Sequence, residues 1–218
     1  MQSFHKAVAF VLLASSAVLA QTNVHQLANR VDEHYNHLRT LQTEFTESFQ
    51  GAGMSRTESG TLWLKRPGRM RWEYTQPRQK LFLTDGRTAW FYVPGERQAR
   101  KIGLKKLDDL RTPLAYLLGK TRLEKEFAGL SVAPDIAPLA PGNVVLRGVP
   151  RNMGNISEVM FEITPAAQIQ RIIAHEVDGS TTEFSFKDQR ENAPVPEARF
   201  RFSPPPGVET VQSDELGQ

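Results

Sequence analysis

The chain has 218 residues, a formal net charge of +3 and no cysteine. So mild a charge balance excludes the basic footprint of a nucleic-acid binder. Without cysteine there is neither a disulfide framework nor a thiol to lipidate, so an ordinary hydrophobic core must stabilise the fold.

Lys6 opens a short basic region, and an apolar run follows from Ala7 through Val18. Val18-Leu19-Ala20 places compact residues at the −3 and −1 positions before Gln21. This pattern predicts a secretory signal peptide over residues 1–20, cleaved from a single domain at 21–218. The run falls short of the ~20 residues that span a bilayer. Cleavage removes Lys6 and no acid, so the +3 charge becomes +2. The expectation is a protein exported across the inner membrane and soluble in the periplasm.

Val24, Leu27, Ala28, Val31, Tyr35 and Leu38 trace one helical face, with Thr22 or Asn23 as cap. The period changes to two at Leu41, where Leu41, Thr43, Phe45, Glu47 and Phe49 share one phase. Strands follow at Glu58–Lys65 and Arg69–Thr75, the second carrying Met70, Trp72 and Tyr74 on one side and Arg69, Arg71 and Glu73 on the other. Leu81–Thr84 runs into Asp85-Gly86, a hairpin signal, and Thr88–Val93 returns. Both faces of that return strand are apolar, so periodicity leaves open whether Trp90 and Tyr92 or Phe91 and Val93 point inward.

A helical interruption is predicted next. Thr112-Pro113 suits a helix start, Leu114, Leu117 and Leu118 share a face, and Gly119 can end it. Leu104, Leu107 and Leu110 form a turn on the same side, and a short helix is expected at 121–128. Strands then recur at Leu130–Ala133, Asn143–Gly148, Val159–Thr164, Gln168–Val177 and Thr181–Lys187, the last two joined through Asp178-Gly179. Ala198, Phe200 and Phe202 alternate with arginines over Glu197–Ser203, read as a final strand before Pro204. About eleven short strands with helices set apart give an α+β fold, a large antiparallel sheet that tends to curl.

The chain carries no nucleophile elbow, no paired-histidine zinc motif and no phosphate-cradling glycine loop, so an enzyme is not expected. His34 and His37 lack the third ligand a metal site needs, and no cofactor or metal is expected. Lys65, Arg66, Arg69 and Arg71 cluster beside aromatics; Arg69 and Arg71 read as a solvated strand face, or else as a docking surface for acidic partners. Arg97, Arg100, Lys101, Lys105 and Lys106 carry the same two readings.

Several segments in order, G-x-L-W-x-K-R-P at Gly60–Pro67, W-x-x-T-Q-P at Trp72–Pro77 and T-D-G-x-T-x-W-F-Y-x-P at Thr84–Pro94, resemble the outer-membrane lipoprotein carrier family, LolA. T-P-x-x-x-L at Thr112–Leu117 and F-x-F-x-P-P-x-G-V at Phe200–Val208 extend the resemblance over nearly the whole mature chain. It implies an incomplete β-barrel covered by a lid of α-helices over a hydrophobic cavity. It implies a periplasmic carrier that takes acylated lipoproteins from an inner-membrane ABC transporter to an outer-membrane receptor lipoprotein. Arg66 matches the family arginine that hydrogen-bonds to the lid. The related receptor family is anchored through a lipidated cysteine, which is absent here. The expected cavity residues are Met70, Trp72, Phe82 and Trp90 on the sheet and Leu27, Val31, Leu114, Leu117 and Leu118 on the lid, in a monomer. The competing expectation is a periplasmic carrier or sensor of a free lipid on the same fold.

Overall fold

The computed structural model describes residues 23–103 and 122–213. Helix α1 spans Val24–His37, and the Asn23 side chain accepts from the Gln26 N–H at 3.0 Å, satisfying one of the amides a helix start leaves unpaired. Its buried side chains are Leu27, Ala28, Val31 and Tyr35, the face that the sequence periodicity predicts.

Six strands follow: β1 (Thr40–Gly51), β2 (Met54–Lys65), β3 (Arg69–Gln76), β4 (Lys80–Asp85), β5 (Thr88–Tyr92) and β6 (Gln98–Gly103). After a one-turn helix α2 (Leu123–Glu126) come β7 (Phe127–Val132), β8 (Val144–Pro150), β9 (Ile156–Ile163), β10 (Ile169–Glu176) and β11 (Thr181–Glu191). A 3₁₀ turn at Glu197–Phe200 and strand β12 (Glu209–Gln212) complete the described residues. The strand order is β12-β6-β5-β4-β3-β2-β1-β11-β10-β9-β8-β7. Neighbours are antiparallel except β12 and β6, and β12 and β7 are the two edges of an open, curved sheet. Turns set the register: Asp85 Oδ1 accepts from the N–H groups of Arg87 and Thr88, at 2.8 and 2.9 Å, while Gly86 takes φ 92°.

Gly60 permits a close approach of β2 to β3. A Cβ there would lie 1.9 Å from the Glu73 carbonyl oxygen, so no larger residue fits without moving a strand. The register shifts by one residue at this point, between Ser59 and Gly60.

Three sequence expectations change. The 121–128 helix stops at Glu126, because Phe127 enters the sheet and buries against Phe161 with ring centroids 5.2 Å apart. Glu197–Ser203 is no strand: Phe200 and Phe202 find different ledges on the outer face, and Pro196 and Pro204 cannot donate to a ladder. Strand β6 is an addition, its arginine and lysine having disguised it.

Candidate functional site

Cross-strand registers divide the side chains of β2 to β5 between two faces. Leu62 stands opposite Trp72, Trp72 opposite Phe82, and Phe82 opposite Phe91. Leu64, Met70, Thr84 and Ala89 make the adjacent row on the same face. This inner face meets α1: Leu62, Leu64, Met70 and Trp72 share one buried cluster with Leu27, Ala28, Val31 and Tyr35. Trp72 packs edge-on to Phe45, with centroids 4.5 Å apart, and to Phe184 at 5.8 Å. Phe82 is half-buried against the cluster.

Four of the expected cavity residues, Leu27, Val31, Met70 and Trp72, therefore belong to one buried cluster, and Phe82 packs against it. Trp90 does not. It stands opposite Leu83, whose neighbour is Arg71, whose neighbour is Trp63, and this row faces outward. Phe91 takes the inner position. Sequence periodicity could not separate them because the outer face of β5 is also covered: Phe202 packs on Trp90 and Tyr92, at 5.3 and 5.5 Å between centroids. Leu114, Leu117 and Leu118 lie outside the described residues, as do the turns expected around them.

The outer cover is a C-terminal strap. Phe200 and Val195 pack on Trp63, and Arg199 lies over the Trp63 ring at 4.3 Å. Lys65 and Arg69 both pair with Glu197, and Arg71 donates to the Arg199 carbonyl at 3.0 Å. Arg69 and Arg71 thus lie beneath the strap rather than on a solvated face. Two cations hold the Glu197 carboxyl below its ordinary pKa.

Several polar contacts fasten α1. Arg66 donates to the backbone carbonyl of Tyr35, in the last turn of α1. That carbonyl is available because the Arg39 N–H, four residues on, donates to Asn192 Oδ1 instead. A guanidinium at a helix C-terminus also offsets the negative end of the helix dipole. Partial burial lowers the Arg66 pKa from its ordinary value. The buried Tyr35 hydroxyl accepts from the Ile169 N–H at 2.8 Å, and burial raises its pKa. His34 shares a hydrogen bond with Glu191 at 2.8 Å, whereas the contact of His37, with the Glu33 carbonyl at 2.7 Å, stays within the helix. Asp32 accepts from the Leu123 N–H at 3.1 Å, and desolvation raises its pKa to about 6.

One group on the inner face was not foreseen. Glu58 and Glu47 are opposite one another on β2 and β1, and Tyr74 donates to Glu47 at 2.8 Å. Glu58 Oε2 accepts from Lys80 at 2.6 Å and from Arg56 at 3.1 Å. Burial pushes the Glu47 carboxyl up in pKa. The signal was in the alternation, since Glu47 falls in phase with Phe45 and Glu58 in phase with Leu62.

Among the described residues no group of His, Cys, Asp and Glu could hold a metal ion, and no helix is long and apolar enough to cross a membrane.

The sequence model of the family described as "Outer membrane lipoprotein carrier protein LolA" matches residues 36–203. An outer-membrane lipoprotein carrier protein of Chromobacterium violaceum is 30% identical over 185 residues, 81% of this chain and 82% of that protein. The one from Sodalis glossinidius is 28% identical over 195 residues, covering 88% and 91%. Among solved structures, the Mycobacterium tuberculosis lipoprotein LppX superposes with a TM-score of 0.53 at 10% identity, covering 79% of this chain and 97% of that one. At that identity the likeness concerns the fold alone.

Proposed function

The chain belongs to the outer-membrane lipoprotein carrier family, and from that premise we propose that it carries acylated lipoproteins through the periplasm, their acyl chains lodged between α1 and the inner face of the sheet. The family is one of carriers rather than enzymes. The observation that supports this reading best is the inner face itself, where Phe45, Met70 and Trp72 share one apolar cluster with the buried face of α1 and Phe82 packs against it.

Energetics require a lid of this kind. Burying each acyl CH₂ contributes roughly 0.8 kcal/mol, so a three-chain anchor of ~40 such groups would give ~30 kcal/mol in principle. Non-covalent affinities saturate near about 18–21 kcal/mol, and a carrier that bound so tightly would not release. Leu27, Ala28, Val31 and Tyr35 are already close-packed at 0–8% exposure, so acyl chains enter only if α1 is displaced. Closing α1 again restores its apolar contacts and its hydrogen bonds, and that gain favours release. The proposed donor is an inner-membrane ABC transporter and the proposed acceptor an outer-membrane receptor lipoprotein.

The test is release of lipoprotein from spheroplasts on addition of the purified mature protein. Soluble complexes with acylated lipoprotein are expected. Uptake of free lipid without any release of lipoprotein would refute the carrier reading.

A further inference from the structure

The charged group on the inner face is out of place in a surface built for acyl chains. Glu58, Glu47, Lys80, Arg56 and the Tyr74 hydroxyl sit beside the aromatic row of Trp72, Phe82 and Phe45. On β11, β10 and β9 the row that contains Glu47 continues as Phe184, Ile172 and Phe161, all buried and apolar. An apolar occupant lying across this floor would strip the remaining water from Lys80 and Arg56 without offering their free N–H groups a partner, which is unfavourable.

The members of the group differ in how far they reach toward solvent. The side chain of Glu58 is 6% exposed and that of Glu47 13%, against 19% for Lys80 and 51% for Arg56. The carboxylates lie beneath and the cations above. A single oxygen of Glu58 holds both cations, and Lys80 Nζ also rests 4.1 Å from the centre of the Tyr74 ring. Two N–H donors are thereby fixed at the border of the aromatic floor, with their charge already balanced by the two carboxylates below. Donors of this kind suit neutral oxygen acceptors better than a full anion, which would also meet Glu47 and Glu58.

We infer that Lys80 and Arg56 form a polar subsite that receives the ester carbonyl oxygens at the head of an acyl amphiphile, fixing where the head lies and sending the chains toward Trp72 and Phe82. Glu58 acts as the positioning residue for both cations. The inference rests on the proposed carrier role, since it presumes a glyceryl diester cargo.

The test compares Lys80→Met, which keeps the apolar stem, and Arg56→Gln, at a half-exposed site, with the unaltered protein. Three probes are titrated: the apolar dye N-phenylnaphthylamine, a synthetic peptide with an N-terminal diacylglyceryl-cysteine, and short-chain phosphatidylglycerol. Each variant should bind the acylated peptide about tenfold more weakly, the effect of losing one charge-assisted hydrogen bond. Dye affinity should stay unchanged, and an equal loss for phosphatidylglycerol supports ester recognition. Equal losses for dye and peptide, or no loss for the peptide, would overturn the inference, as would a loss confined to phosphatidylglycerol. If the unaltered protein binds the dye but not the acylated peptide, the carrier reading fails and the inference with it. If it binds the peptide and the variants match it, only the inference fails.

Discussion

Replacing Arg66 by leucine removes the donor to the Tyr35 carbonyl and leaves the Tyr35 hydroxyl, His34 and Asp32 contacts in place. A hydrogen bond from a charged donor contributes about 1.5–3 kcal/mol. Arg66 is only half-buried, which favours the lower part of that range, and its interaction with the helix terminus adds about 0.3–1 kcal/mol. A net loss of roughly 2 kcal/mol shifts the closed-to-open equilibrium of α1 by about 10- to 30-fold. Native-state amide exchange reads this directly. Amides of Val24–His37 should exchange about 10–30 times faster in the variant at the same pH, while those of β9 and β10 keep their protection. In transfer assays the variant should still accept lipoprotein but pass it on poorly, because a weakened closed state competes less with bound chains. Unchanged exchange in α1, or equal acceleration throughout the sheet, would refute the assignment of Arg66 as the latch. Normal onward transfer would refute its link to release.

Tyr35→Phe leaves the buried Ile169 N–H without its acceptor, a cost of about 1–3 kcal/mol, and thermal denaturation should show Tm lower by several degrees; an unchanged Tm would remove this contact from the account. The carboxyl of Asp32 rises from 3.8 to about 6 on folding, so its contribution is most favourable below the unfolded value and is lost as pH rises through about 6. The full shift corresponds to about 3 kcal/mol, and partial exposure reduces this to about 1 kcal/mol. Asp32→Asn, which keeps an acceptor for the Leu123 N–H, should therefore raise Tm at pH 7.5 and leave it unchanged at pH 3.5; equal effects at the two pH values would contradict the burial argument.

Much of the fold could be read from period and turn chemistry. The apolar face of α1 and the alternation in β1 and β3 depend on local spacing alone, and Asp85-Gly86 states its turn in two residues. Strand β6 was hidden because its charged side chains do apolar work: Arg100 lies over Phe91 and Lys101 over Trp90, at 5.8 and 5.5 Å. Periodicity leaves Trp90 and Phe91 unseparated because the strap that covers Trp90 comes from more than 100 residues further along the chain, at Phe202. Alternation over Phe200 and Phe202 mimicked a strand for the same reason, two aromatics reaching separate partners. The Glu47 and Glu58 pair illustrates the converse. Its phase was visible, but no local rule says that a charge in the buried phase will find its cations on neighbouring strands.

Tryptophan fluorescence tests the central claim most directly, since the chain has three tryptophans and only Trp72 lies on the inner face. A diacylated peptide with brominated acyl chains should quench the emission of Trp72 by contact. The account predicts full quenching in a Trp63→Phe, Trp90→Phe protein and none in Trp72→Phe. Quenching that survives in Trp72→Phe and disappears in the double variant would place the acyl chains on the outer face and contradict it.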